Sequence, residues 1–156
     1  YTVVYGPFPG RAELARNILI YAGADWSDKL VKGSDSDERD KAPNGVFPYL
    51  IEEEEGKEPF ILSDAGTIER YLARKFDLLG DTPQEALLIE SYHAHIMRTT
   101  DALISYGFGP VEDKERAKAV YEERATTLAK HHERILARNH DGNGYYVGER
   151  LSLADL

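Results

Sequence analysis

Apolar positions switch between two periods along the first half of the chain and keep to one along the second. Val3-Val4-Tyr5 is a short β-branched and aromatic run that predicts a strand, and over residues 11–22 the side chains Ala12, Ala15, Ile18, Leu19 and Ala22 recur at helical spacing. Gly23 stops that helix, because a left-handed terminal residue has no Cβ to clash when it is glycine. Lys29-Leu30-Val31 predicts a second strand, and the Ser- and Asp-rich stretch 33–41 predicts a loop or irregular helix. Phe47-Pro48-Tyr49-Leu50-Ile51 and Pro59-Phe60-Ile61-Leu62 are apolar strands on either side of residues 52–57, whose glutamates read as a solvated hairpin turn. Ser63 or Asp64 then caps a helix with Ile68, Tyr71, Leu72 and Phe76 on one face, and Gly80 and Pro83 punctuate its end.

Beyond Pro83 the strand period disappears. Two long helices are predicted, over 84–105 and 113–139; in the second, Ala117, Val120, Tyr121, Leu128, Ile135 and Leu136 form the apolar stripe. The expected organisation is an α/β domain over 1–78, a linker at 79–83 and an all-helical domain over 84–156.

Composition narrows the function classes. With 42% hydrophobic and 30% charged residues the chain has the balance of a soluble globular protein. A net charge of -9 argues against nucleic acid as a partner, since phosphate backbones are held by clustered Lys and Arg. No apolar run approaches the roughly 20 residues that span a bilayer and no charged-then-apolar leader is present, so a cytoplasmic protein without membrane attachment is expected. The absence of cysteine removes disulfides, thiolate metal sites and every cysteine nucleophile. His93 and His95, two residues apart on a helix, point in different directions, so no metal site is expected from the histidines.

The stretch carrying most chemistry is Tyr5 to Arg16, Y-G-P-F-P-G-R-A-E-L-A-R, directly after the first strand. A phenol where a strand ends and a helix begins stands at a rigid cleft mouth, able to donate one directed hydrogen bond to an anion. The plain alternative is a strand-end aromatic, in a chain with ten tyrosines. Arg11 and Arg16 do not share a helix face, and Arg16 reads as a solvated helix residue. Two further motifs stand out: Gly45-Val46-Phe47-Pro48, with a proline at a strand start, and the run from Gly144 to Asp155, in which Ser152 and Asp155 have capping-box spacing.

The Tyr5 run resembles the start of cytosolic glutathione transferases of the tyrosine type, nearest the pi, mu and sigma classes. That resemblance implies a thioredoxin-like domain followed by an all-α domain, here expected to be truncated at its C-terminal end. It implies a detoxifying transferase in which glutathione thiolate attacks a small hydrophobic electrophile, with glutathione as co-substrate, no further cofactor, and a homodimeric assembly. A free cysteine thiol has a pKa of about 8.5, so only roughly 3% is thiolate at pH 7. The family places its catalytic tyrosine five residues before the turn glycine, as Tyr5 stands before Gly10, and Arg11 matches the arginine that reinforces it. By the same resemblance Arg39 or Lys41 holds the glycine carboxylate, with Arg39 slightly favoured. The Val46 backbone pairs with the cysteinyl unit beside a cis Pro48, and Phe8 and Phe108 wall the electrophile pocket.

Two departures stand against the pattern. The family's Gln-Ser pair for the γ-glutamyl end is replaced by Asp64-Ala65, which removes a hydroxyl and adds an anion, although the Ala65 N–H at the helix start remains a carboxylate donor. The loop tryptophan of these classes is replaced by Asp35. A non-catalytic structural or binding member of the family, or a sigma-type glutathione-dependent isomerase, therefore stand as alternatives.

Overall fold

Val3 and Val4 of β1 (Thr2–Tyr5) are both fully buried, which requires cover on both faces of the sheet. The computed structural model describes residues 1–156 and supplies that cover. β1 pairs in parallel with β2 (Ser27–Leu30) and antiparallel with β3 (Tyr49–Glu52), and β4 (Phe60–Ser63) lies outside β3, giving the order β2-β1-β3-β4. A parallel neighbour cannot be reached through a tight turn, so the chain crosses over through α1 (Glu13–Tyr21).

The two-residue period of a strand sorts the side chains. Val3, with its partners Asp28 and Leu50, faces one side; Val4, with Lys29 and Tyr49, faces the other. α1 buries Ala15, Ile18 and Leu19, and α3 (Ala65–Lys75) buries Ile68, Leu72 and Ala73. On the opposite face Val4, Val31, Ala42 and Tyr49 form a core with Phe47, Ile51 and Ile61 packed against it. Each fully buried Val, Leu or Ile contributes about 1.5–3 kcal/mol relative to exposure.

Two local expectations are corrected, at the second strand and at Pro83, and that for 33–41 is made specific. The second strand starts at Ser27 and ends at Leu30, two residues ahead of the apolar triplet, because its register is set by the Thr2–Ser27 pairing with β1 and not by its own polarity. Within 33–41 a short helix, α2 (Ser36–Arg39), forms, its N-terminus closed by Asp35, whose carboxylate accepts from Glu38 N–H at 3.0 Å. Pro83 does not end α3; it is the first residue of α4 (Pro83–Phe108), where its missing N–H costs nothing. Thr82 and Glu85 close that helix with a capping box.

Contacts within the chain divide it into Tyr1–Asp77 with Leu156, and Leu78–Asp155. In the second unit α4 and α5 (Lys114–Leu136) run antiparallel: Tyr106 stacks on Tyr121 near the connection, and His95 meets His132 farther along. Tyr121, Leu128 and Ile135 are half-buried, Val120 is exposed, and the buried member of the α5 stripe is His132. After α5 the Asp155 carboxylate accepts from Ser152 N–H at 2.9 Å, from Ser152 Oγ at 2.6 Å and from Tyr146 N–H at 2.9 Å, which ties the end of the described chain into one turn. No helix is long and apolar enough to cross a membrane.

Candidate active site

Tyr5 is the last residue of β1, and the chain turns immediately after it through Gly6-Pro7-Phe8-Pro9-Gly10 into a 3-10 turn, Gly10–Ala12, that leads into α1. Gly10 adopts φ +55°, a conformation that lets the turn fold back over the tyrosine. The backbone N–H of Arg11 thereby reaches Tyr5 Oη at 3.3 Å. The phenol oxygen is used as an acceptor, and its own proton points away from that bond as a donor. Tyr1, the other phenol of this strand region, turns instead to Glu52 and Phe76.

The arginine standing near the Tyr5 ring is Arg16, with Cζ 6.0 Å from the centroid. The solvated reading of Arg16 is overturned: it is only 8% exposed, donates to the carbonyls of Phe8 and Pro9 at 3.2 and 3.4 Å, and pairs with Asp28 at 3.0 Å and Glu13 at 3.2 Å. It clamps the turn that carries the tyrosine. A sequence signal existed, since Ala12, Ala15, Arg16 and Leu19 fall on one helix face and the other three are buried. Arg11, by contrast, serves Tyr5 through its backbone.

Tyr5, Phe8, Arg39, Val46 and Phe47 line a cavity of about 360 Å³. Phe8, 45% exposed, meets the Tyr5 ring edge-on with centroids 5.1 Å apart. Arg39 spreads its guanidinium over Phe47, Cζ 5.2 Å from the ring centroid, and donates to Gly33 O. Val46 is 39% exposed and its backbone N–H and C=O are engaged by no group of the chain, next to a cis Phe47–Pro48 peptide. Pro48 O accepts from Asp64 N–H at 3.2 Å, which brings the start of α3 to the same corner.

Asp64 holds φ +83°, uncommon for a residue with a Cβ. Its Oδ1 accepts from Thr67 N–H at 3.0 Å and Thr67 Oγ1 at 2.9 Å, so it is the N-cap of α3, with Ala65 buried as the first helical residue. Lys41 turns away from the cavity wall to Glu38 at 3.1 Å. Phe108 ends α4 in the second unit and is 77% exposed. Also in that unit, a cavity of about 310 Å³ between α4 and α5 is bordered by Asp101, Ser105, Arg116 and Arg124.

Glu38 was not legible as a special residue inside S-D-S-D-E-R-D-K, yet it is buried. Its carboxylate accepts from Lys29, Tyr49 and Lys41. Hydrogen bonds from Lys29 and then Tyr49 hold its pKa down to about 2, and burial with the Glu38 charge beside it pushes the Tyr49 hydroxyl well above the usual phenol range. On the far side of the same sheet burial would raise Glu52, but hydrogen bonds from Lys75 and Tyr71 outweigh it and keep this carboxyl below its ordinary value.

Residues 99–156 match the family model "Glutathione S-transferase, C-terminal domain". Glutathione S-transferase P 1 of Bufo bufo is 32% identical, over 99% of this chain and 71% of its own length. Probable glutathione S-transferase 6 of Caenorhabditis elegans is also 32% identical, over 100% of this chain and 75% of its own length. Among solved structures, the sigma class GST of Fasciola hepatica superposes with a TM-score of 0.83 at 26% identity, covering 99% of this chain and 73% of that one. The fold is accordingly a thioredoxin-like unit followed by an all-α one.

Proposed function

The chain belongs to the glutathione S-transferase family, and from that membership we propose that it transfers glutathione to hydrophobic electrophiles, with Tyr5 as the residue that stabilises the thiolate. The observation that carries the assignment is the Tyr5 hydroxyl at the cavity wall, its oxygen accepting from Arg11 N–H so that its proton is free to donate. Donation to sulfur favours the ionised form. The thiol proton leaves to solvent, and the thiolate forms the C–S bond as the electrophile's leaving group departs with its bonding pair or, in an addition, as the displaced π pair takes up a proton from solvent. Lowering the thiol pKa by about two units corresponds to about 2.7 kcal/mol, within the reach of one or two directed donors in a partly dry cleft.

The remaining assignments follow the tripeptide outward. Arg39, on the cavity wall, is assigned the glycine carboxylate in preference to Lys41, which is bound to Glu38. The open backbone of Val46 pairs with the cysteinyl amide as an added strand would, and Pro48 carries that corner. Asp64 takes the γ-glutamyl ammonium, and Ala65 N–H, at the positive end of α3, takes its carboxylate. Phe8 supplies an apolar wall to the electrophile. Glutathione is a co-substrate in this scheme and no further cofactor is invoked. Family membership also supports a cytoplasmic homodimer.

Conjugation of glutathione to a generic aromatic electrophile tests the assignment. Tyr5→Phe is expected to slow the reaction about 100-fold while glutathione binding persists. A folded wild-type protein that neither binds glutathione nor conjugates it overturns the reading. That outcome favours a non-catalytic binding protein, for which the observation is Asp64, whose carboxylate is committed to capping α3. Product analysis separates transfer from isomerisation.

A further inference from the structure

The groups around Arg39 close into a circuit. Its guanidinium covers the Phe47 ring, Phe47 stacks on Tyr49 with centroids 6.0 Å apart and planes 20° apart, and the Tyr49 hydroxyl donates to Glu38 Oε1. Glu38 is the residue immediately before Arg39. Lys29 of β2 donates to the same oxygen at 2.8 Å, and Lys41 donates to Oε2 at 3.1 Å. One carboxylate therefore joins α2 to β2, to β3 and to the segment that follows α2.

A helix of four residues does not hold itself together, since isolated helices shorter than about 12 residues are marginal in water. The position of α2 has to come from tertiary anchors, and Glu38 is its one buried residue. Burying a carboxylate is tolerated only when donors replace its hydration, and Glu38 has three. The carboxyl is held near pKa 2, so the anchor stays ionised throughout the neutral range. Consecutive residues on so short a helix point apart, so the inward turn of Glu38 aims Arg39 outward over the cavity.

We propose that Glu38 is a positioning residue: through Tyr49 and Lys29 it fixes α2 so that the Arg39 guanidinium stands over Phe47, and it thereby sets the affinity for the carboxylate at the glycine end of glutathione. The inference rests on the glutathione reading of the cavity.

The test is calorimetric titration of wild type, Glu38→Gln and Tyr49→Phe with glutathione and with γ-glutamylcysteine, which lacks the glycine carboxylate. Glu38→Gln is expected to bind glutathione roughly tenfold more weakly, the scale of a lost charge-assisted contact, while binding the dipeptide like wild type. In kinetics the KM for glutathione rises and kcat holds, and the thiolate absorbance of bound glutathione titrates at the wild-type midpoint. Tyr49→Phe keeps the stacked ring, removes one hydrogen bond and is expected to show a smaller loss in the same direction; it carries the test if the Gln variant does not fold. Equal weakening for both peptides means that Glu38 only supports the fold, and unchanged glutathione affinity in folded variants means that it supports nothing at Arg39; either overturns the proposal alone. A wild type that binds neither peptide overturns the glutathione reading itself.

Discussion

A Cβ built at Gly10 would stand 2.9 Å from Tyr5 Oη, and the backbone there holds φ +55°. Gly10→Ala should therefore do two things at once: lower stability by about 1 kcal/mol from the backbone conformation and push the phenol off its place beneath Arg11. Thermal melts and conjugation rates measured together are expected to show a small loss in the first and a tenfold or larger loss in the second; an unchanged rate would mean that the hydroxyl position is not critical. Arg16 acts on the same turn from below. Its guanidinium is nearly buried and bound to Asp28, Glu13 and two carbonyls, so Arg16→Ala is expected to cost about 3 kcal/mol in urea unfolding. Arg16→Lys should recover only part of this, because a point charge cannot serve the fork of partners. Tyr5 was legible from its place between a strand and a Gly-Pro turn, whereas Arg16 was legible only from the helix face it occupies, a signal masked by the expectation that charge means solvent.

Elements rich in their own apolar residues were the readable ones. The β3–β4 hairpin and α3 declare themselves through Tyr49-Leu50-Ile51, Phe60-Ile61-Leu62 and the Ile68/Leu72 face, of which Tyr49, Leu50, Ile68 and Leu72 are buried in the core. β2 and α2 do not, because both are polar and take their places from partners, β1 for the one and Glu38's anchors for the other. The Thr82-Pro83-Gln84-Glu85 capping box has its pattern in the sequence, but Pro83 reads equally well as a stop, and only the fold decides between the two. In the helical pair the element to probe is α5, through His132, which accepts or donates between His95 Nδ1 at 3.0 Å and Tyr146 Oη at 2.9 Å. Burial, then the neighbouring His95 and His131, lowers its pKa below the ordinary 6.5. The unfolded chain consequently takes up the proton first, so this contribution to stability is complete above about pH 6.5 and is lost as pH falls below it. The urea midpoint of the wild type is expected to fall across that acid window, and His132→Asn should flatten the slope; parallel slopes would assign the acid loss to other groups.

At the scale of the whole molecule the architecture was expected from the change of period near Pro83, and the chemistry from one motif at the first strand. The anchoring of Arg39 was not, since it depends on Lys29, Glu38 and Tyr49, which only the folded sheet brings together. The homodimer proposed from the family is checked by sedimentation equilibrium at neutral pH, with twice the 17.6 kDa chain mass expected and a single-chain mass counting against it. A last consequence lies in β2, all four of whose residues are exposed. Its side chains alternate, so Asp28 reaches Arg16 beneath the tyrosine turn and Lys29 reaches Glu38 beneath α2. This edge strand, which adds almost nothing to the core, works as a tie-beam between two parts of the glutathione site proposed above: glutathione titrations and conjugation rates of variants at neighbouring positions 28 and 29 should show different parts slackened, the place proposed for the central cysteinyl sulfur for one and the place proposed for the glycine carboxylate for the other.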